Sequence, residues 1–215
     1  MQTNIVPDFN DDFREVLRLL LLWRRDVRRF LKNPISNELL LNLIEIANFS
    51  PSVGNSQPWR WVNVNDNKNR EKIRTNFRKC NEQALAGYSG ERASLYANLK
   101  LEGLDAAPVQ LAVFADVETE QGANLGKLTM PETLNYSVVM AIHTLWLAAR
   151  ASGLGVGWVS IIDPQAVKKD LSINDTWELI AYLCIGYPVE EHDIPELERS
   201  GWQKRTNAGL NIVSR

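Results

Sequence analysis

The stretch Gly153-Leu154-Gly155-Val156-Gly157-Trp158-Val159-Ser160 decides the fold. Its three alternating glycines resemble those of a dinucleotide-binding loop at first sight. Such a loop follows a strand and opens a helix. Here the order is reversed. Leu134 to Ser152 reads as an apolar helix, Gly153 suits the position just past a helix C-terminus, and Gly157 to Ile162 reads as a strand. The run is a helix-to-strand connection, so NAD binding through this motif is rejected.

Working outward, the next strand is Trp177 to Gly186, with a short helix from Pro164 before it. Upstream, Val109 to Ala115 is a strand whose near-continuous apolar character predicts burial on both faces. Trp59 to Val64 is β-like. Asp11 to Phe30 is expected to be a helix capped by Asp11 or Asp12, with apolar residues at Phe13, Val16, Leu17, Leu20 and Leu21. Ser36 is the expected N-cap of a helix through about Phe49. Arg70 to about Leu104 is mostly helical, broken near Gly87–Gly90. From Pro188 the chain is a polar tail. Helices followed by strands alternating with helices predict an α+β fold, a central sheet flanked by helices. Residues 1–215 form one domain, and the tail from about 188 is expected to wrap a partner subunit.

Bulk properties exclude several functions. The 215 residues are 45% hydrophobic, enough for one sizeable core. A net charge of −2 argues against a nucleic-acid binder. Cys80 and Cys184 belong to no metal-spaced set, so no metal is expected. Met1 to Asn10 has no signal-peptide pattern, and the apolar run Leu19–Trp23 is too short to cross a bilayer. The expectation is a cytoplasmic protein with no membrane partner.

Two segments carry the chemistry. In the first, Trp-Arg-Arg-Asp-Val-Arg-Arg-Phe at 23–30, a helical reading sets Arg24 against Arg28 and Arg25 against Arg29. Like charges at that spacing cost about 0.2–0.5 kcal/mol per pair. Asp26 compensates part of this, and a bound phosphate would compensate more, since a guanidinium fork matches phosphate oxygens. Cations at a helix C-terminus are also favourable without any ligand. Asp26 among guanidinium groups is expected to have a lowered pKa.

The second segment is Ser-Pro-Ser-Val-Gly-Asn-Ser-Gln-Pro-Trp-Arg-Trp at 50–61. Ser52, Asn55, Ser56 and Gln57 offer donors and acceptors to the polar edge of a planar ring. An ordinary turn would have the same composition. Gly54 permits positive φ or close approach, and Pro58 is expected to push Gln57 toward extended geometry. Gly157-Trp158-Val159-Ser160 could lie flat against a ligand. His143, in an apolar helix, is expected in the core. His192 has no evident partner.

With these residues in hand, the chain resembles the nitroreductase-like FMN proteins, and most of all their BluB branch of 5,6-dimethylbenzimidazole synthases. The matching pieces are 24–28, 51–60, 99–103, 153–160, Cys-Ile-Gly-Tyr-Pro at 184–188, and Pro-Glu-Leu-Glu with Gly-Trp at 195–202. Other members usually carry serine or another small residue where this chain has Asp26. The resemblance implies an α+β fold with a central mostly antiparallel sheet flanked by helices, a homodimer with an exchanged C-terminal extension, and FMN at the subunit interface. It implies that reduced FMN is the substrate, and that dioxygen drives its fragmentation to 5,6-dimethylbenzimidazole and erythrose 4-phosphate, a separate flavin reductase being one source of reduced flavin. By the same resemblance Asp26 and Ser160 are catalytic. Arg24, Arg25, Val27 and Arg28 contact the flavin with Asp26, as do Ser52, Gly157, Trp158, Val159 and, more weakly, Arg205. Trp59, Trp61 and Trp158 are candidate pocket walls. Two other functions compete: an FMN-dependent NAD(P)H nitroreductase or quinone reductase, and a non-enzymatic flavin binder.

Overall fold

A computed structural model describes residues 6–99 and 102–206. Four strands form one sheet: β1 (Trp59–Asn63), β2 (Val109–Asp116), β3 (Gly155–Val159) and β4 (Trp177–Gly186). Their order is β1-β2-β4-β3, and every neighbouring pair is antiparallel. Along β2 the side chains alternate between two buried faces. Leu111, Val113 and Ala115 join one core; Ala112 and Phe114 join the other.

The first core is closed by α2 (Asn37–Ala47) and α6 (Thr133–Ala151), through Leu40, Leu43, Val138, Ile142 and Leu145. The second is closed by α3 (Asn67–Ala86), α5 (Gly103–Ala106) and α7 (Pro164–Asp170), through Ile73, Leu104 and Val167. Ser36, Asp66 and Asp163 cap α2, α3 and α7 by accepting backbone N–H bonds. The remaining helices are α1 (Asp11–Trp23), α4 (Gly90–Asn98) and α8 (Glu196–Arg199). The α+β architecture, the antiparallel sheet and the double burial of β2 are as expected. Within the expected helix over 70–104, Lys100 and Leu101 lie outside the described residues. No helix among the described residues is long and apolar enough to cross a membrane.

Three boundaries differ from the sequence reading. Strand β3 begins at Gly155 and ends at Val159, two residues earlier than expected at its start. Gln57 has φ +45°, left-handed rather than extended, and its N–H donates to Ser52 Oγ at 3.0 Å. Most consequentially, α1 stops at Trp23, and Arg24 turns to extended geometry. Residues 24–30 run beside the sheet. Val27 N–H donates to Val156 O at 3.0 Å, Asp26 pairs with Val156 in parallel, and Phe30 bridges Pro188. Backbone donors that a helix would have satisfied internally are satisfied by β3 and by the chain leaving β4. The i,i+4 arginine repulsion therefore does not occur.

The polar tail packs on its own chain as far as it is described. Leu31 N–H donates to Tyr187 O and Val189 N–H to Arg29 O. Arg29 pairs with Glu190 and Glu196, and Arg150 with Glu191. Residues 207–215, the rest of the expected exchanged extension, lie outside the described residues.

Candidate flavin site

An extended 24–30 segment has a period of two. It puts Arg24, Asp26 and Arg28 on one side and Arg25, Val27 and Arg29 on the other. On the second side every group is engaged. Arg25 Nε donates to Asp193 O at 2.7 Å, Arg29 holds the two tail glutamates, and Val27 packs into the second core. The first side is unfinished. The Nε of Arg24 is buried with no hydrogen-bond partner among the described residues, and the buried Nε of Arg28 has only a 3.5 Å ion pair with Asp26. A buried, unpaired guanidinium nitrogen costs free energy until an acceptor arrives.

The approach of this segment to β3 depends on two glycines. A Cβ on Gly157 would lie 2.2 Å from Val27 O, and one on Gly155 would lie 2.6 Å from a Val27 methyl. Any side chain at either position would push the segment off the sheet. The glycines of the opening stretch thus serve strand packing, while Gly153, at φ +74°, ends α6.

Asp26 is gripped from two sides. Trp158 N–H donates to its Oδ1 at 3.0 Å, and Arg28 Nε lies 3.5 Å from its Oδ2. Contrary to the expectation from composition, its pKa is raised. Crowding by the surrounding protein penalises the charged carboxylate more than the Trp158 N–H and Arg28 favour it, and Glu196 adds to the rise. The side chain is still 39% exposed. Neighbouring protein atoms therefore set the direction of the shift, and access from the pocket remains. Beneath it a small cavity is lined by Gly103, Leu104 and Cys184 together with Gly157, Trp158 and Val159. The Cys184 thiol is fully buried, which pushes its pKa up.

Arg24 stacks over the Trp146 ring at 5.0 Å. Burial lowers its pKa, Asp26 opposes this, and Arg205 adds to the depression. Arg25 is lowered by burial, then by Arg205 and Arg24. Arg24 and Arg25 both line one pocket together with Asp26, Arg28 and Trp146. A half-buried cation such as Arg24, whose Nε has no partner among the described residues, fits a multiply charged anion such as the FMN phosphate.

Other expected residues fall elsewhere. Ser160 directly follows β3 and is exposed. Ser52 lies in the loop that Val53 N–H fastens to Ser137 Oγ, whereas Arg24 stacks near the other end of α6. Ser137 and Trp146 are separated by about 13 Å of helix axis. Trp59 is a core residue whose Nε1 donates to Asn48 Oδ1 at 2.8 Å, so it is not a pocket wall. His143 is exposed rather than in the core, and its pKa is lowered by partial burial and by Arg24. His192 does have a partner, Glu190, at 3.0 Å. Sequence reasoning missed Trp146, hidden in a helix that read as pure core, and the tail glutamates that fasten Arg29.

Residues 21–187 match the family described as the nitroreductase family. A 5,6-dimethylbenzimidazole synthase of Rhodospirillum rubrum is 59% identical over 199 residues, covering 93% of this chain and 94% of that protein. A 5,6-dimethylbenzimidazole synthase of Rhodobacter capsulatus is 45% identical over 197 residues, covering 92% and 95%. Among solved structures, oxidized iodotyrosine deiodinase bound to FMN and 3-iodo-L-tyrosine aligns with a TM-score of 0.70 at 27% identity, over 82% of this chain and 91% of that one.

Proposed function

The chain belongs to the nitroreductase family, and on that premise we propose that it is a 5,6-dimethylbenzimidazole synthase. Its substrate is reduced FMN, its co-substrate dioxygen, and its products 5,6-dimethylbenzimidazole and erythrose 4-phosphate. The carrying observation is Asp26, with a raised pKa, held between Trp158 N–H and Arg28 Nε in a pocket where Arg24 Nε has no partner among the described residues. Near-full-length identity of 59% to a synthase supports the same reading.

Reduced FMN, when bound, supplies the electrons that dioxygen takes up and the ring carbons of the benzimidazole. The protein's own part is binding and proton control. Arg24, Arg25 and Arg28 hold the phosphate or the ring edge, with Arg205 adding a further cation. Trp158 N–H occupies Asp26 Oδ1, and Oδ2, 3.5 Å from Arg28 Nε, is the atom that takes up and returns a proton. A raised pKa keeps that proton on the carboxyl to higher pH than an ordinary aspartate would, which suits a group that must both give and accept it. Val27, Gly157 and Val159 form a backbone platform, and Trp158 excludes water from one side. Ser160 assists from the exposed end of β3, where it is free to meet a ligand.

The site is completed by a second copy. Helix α1 has no buried residue, and Phe13, Val16, Leu17 and Leu21 are exposed along it. Tyr136, Val139 and Met140 continue an uncovered stripe on α6. Apolar surface of this extent marks an interaction face. A homodimer covering it brings the partner's 50–58 loop, with Ser52, to the flavin. A separate flavin reductase supplies the reduced substrate.

The test is to mix the protein in excess with chemically reduced FMN and admit oxygen. Loss of flavin absorbance with 5,6-dimethylbenzimidazole appearing by mass spectrometry is expected. Full return of oxidised FMN, together with NAD(P)H-driven turnover of a nitroaromatic, would make the protein an ordinary FMN reductase.

A further inference from the structure

We propose that Gln110 is a positioning residue: with Tyr182 it fixes the carbonyl of Leu104, holds Gly103 against Phe30 and Cys184, and so keeps the floor beneath Asp26 closed. This role rests on the one given to Asp26 above and names what holds that residue's surroundings in place.

Gln110 interrupts the apolar run of β2 and is only 1% exposed. A buried amide costs free energy unless its groups are paired. Here both ends are paired. Tyr182 Oη donates to Gln110 Oε1 at 2.7 Å, and Gln110 Nε2 donates to Leu104 O at 3.0 Å. Tyr182 sits diagonally across from Gln110, whose direct partner on β4 is Cys184. It is fully buried, and burial raises its pKa, so the hydroxyl keeps the proton it donates. The bonds end on α5, a single turn too short to be stable by itself. Within it Gly103 O accepts from Ala107 N–H, whereas Leu104 O depends on side chains from elsewhere: Gln110, and Arg74 Nη1 at the longer distance of 3.4 Å.

What α5 carries reaches Asp26. A Cβ on Gly103 would lie 3.0 Å from the Phe30 ring and 3.2 Å from Cys184 Cβ. Phe30 ends the added 24–30 strand. Cys184 pairs across the sheet with Gln110 on one side and Gly157 on the other, and Gly157 is where Val27 O passes closest. One row thus runs from Gln110 through Cys184 and Gly157 to the segment that bears Asp26. Gly103, Leu104 and Cys184 line the cavity beneath its carboxyl, and none of them brings a charge. Charged groups meet Asp26 from other sides: Arg28 on its own segment, and Arg24 and Glu196 of α8 in the pocket they share with it. An α5 released from Gln110 would admit water from below, and a wetter carboxyl titrates closer to an ordinary aspartate.

The experiment separates position from cohesion, because apolar residues of similar shape can replace both partners of a buried hydrogen bond at little cost in stability. Proteins compared are wild type, Gln110→Met, the Gln110→Met/Tyr182→Phe double variant, and Ile73→Val, which loosens the same core elsewhere. Three quantities are measured: FMN binding by flavin fluorescence, the fraction of reduced FMN that becomes 5,6-dimethylbenzimidazole after oxygen is admitted, and the pH midpoint of that fraction. Both Gln110 variants are expected to keep FMN binding and to lose about tenfold in product fraction, as for a misplaced reacting group. Their pH midpoint should move down by about one unit. The double variant should do so while melting near the wild-type temperature. Ile73→Val should melt lower with fraction and midpoint unchanged. If Gln110→Met does not fold, because Tyr182 is left without its acceptor, the double variant decides alone. A double variant with the wild-type fraction and midpoint overturns the proposal and leaves the role of Asp26 intact. A loss of product without the pH shift, or one that Ile73→Val reproduces, makes Gln110 a packing residue and overturns it as well. A wild type that returns all its FMN sinks both.

Discussion

Trp158 N–H donates to Asp26 Oδ1 at 3.0 Å, joining two residues that lie 132 positions apart in sequence. The bond exists because the 24–30 segment lies against β3 as an added strand, with Val27 N–H on Val156 O. Asp26 is therefore oriented by backbone, whose position is fixed by the sheet, rather than by a mobile side chain. This tie links the fold to the proposed chemistry, and its consequences can be measured.

The packing of that added strand makes Gly157 irreplaceable. An alanine Cβ there would sit 2.2 Å from Val27 O, a backbone atom that cannot swing aside. Gly157→Ala is expected to destabilise the protein by about 1–3 kcal/mol and to abolish FMN binding. Gly153 has open space around a Cβ, but φ +74°. Gly153→Ala should cost about 1 kcal/mol of strain and leave FMN binding in place. Urea unfolding and flavin titration of the two variants check this pair.

The raised pKa of Asp26 has a definite sign. The folded protein holds a proton on this carboxyl at pH values where the unfolded chain, near the ordinary 3.8, has lost it. Between those two values stability falls as pH rises, so at neutral pH the carboxylate is a net cost to the flavin-free fold. Asp26→Asn should raise the melting temperature of flavin-free protein at pH 7, and the gain should vanish as the pH drops through the folded value toward 3.8. An asparagine variant that is less stable at neutral pH would reverse the assignment.

Arg24 should separate stability from binding. Its Nε has no partner among the described residues, while its guanidinium stacks on Trp146. Leucine keeps an apolar side chain against the indole and removes the unsatisfied donor. Arg24→Leu is expected to leave flavin-free stability within about 0.5 kcal/mol of wild type and to weaken FMN tenfold or more, on the order of a charge-assisted hydrogen bond. Thermal melts with and without FMN would show the whole loss in the bound form.

Ser160 is exposed at the end of β3, so its removal disturbs no packing. Ser160→Ala should keep both stability, within about 0.5 kcal/mol, and FMN affinity. It should slow product formation, measured by mass spectrometry.

Much of this was legible in the sequence. The helix-then-strand order around Gly153 and the unbroken apolar run of β2, read as burial on both faces, both appear in the structure, while the antiparallel order of the sheet came from the family resemblance. The arginine-rich segment pointed to the anion pocket for a partly mistaken reason. Nothing between Trp23 and Phe30 breaks a helix by local propensity. The helix ends because β3, remote in sequence, offers an edge that two glycines leave open, and a single window cannot register such a partner. The same blindness inverted the Asp26 pKa. Neighbouring arginines in sequence suggested stabilisation of charge, whereas the pocket's crowding dominates. His143 read as a core residue because its helix is apolar all round. One of that helix's apolar stripes instead faces outward.

The central claim is that Asp26 takes part in consuming the flavin rather than merely holding it. The direct measurement compares wild type with Asp26→Asn, each saturated anaerobically with reduced FMN and then exposed to oxygen, following flavin absorbance and 5,6-dimethylbenzimidazole together. The account predicts irreversible flavin loss matched by product in the wild type, and quantitative return of oxidised FMN in an Asp26→Asn protein that still binds it. Equal product from both proteins would contradict the role given to Asp26, and full return of FMN from the wild type would contradict the function itself.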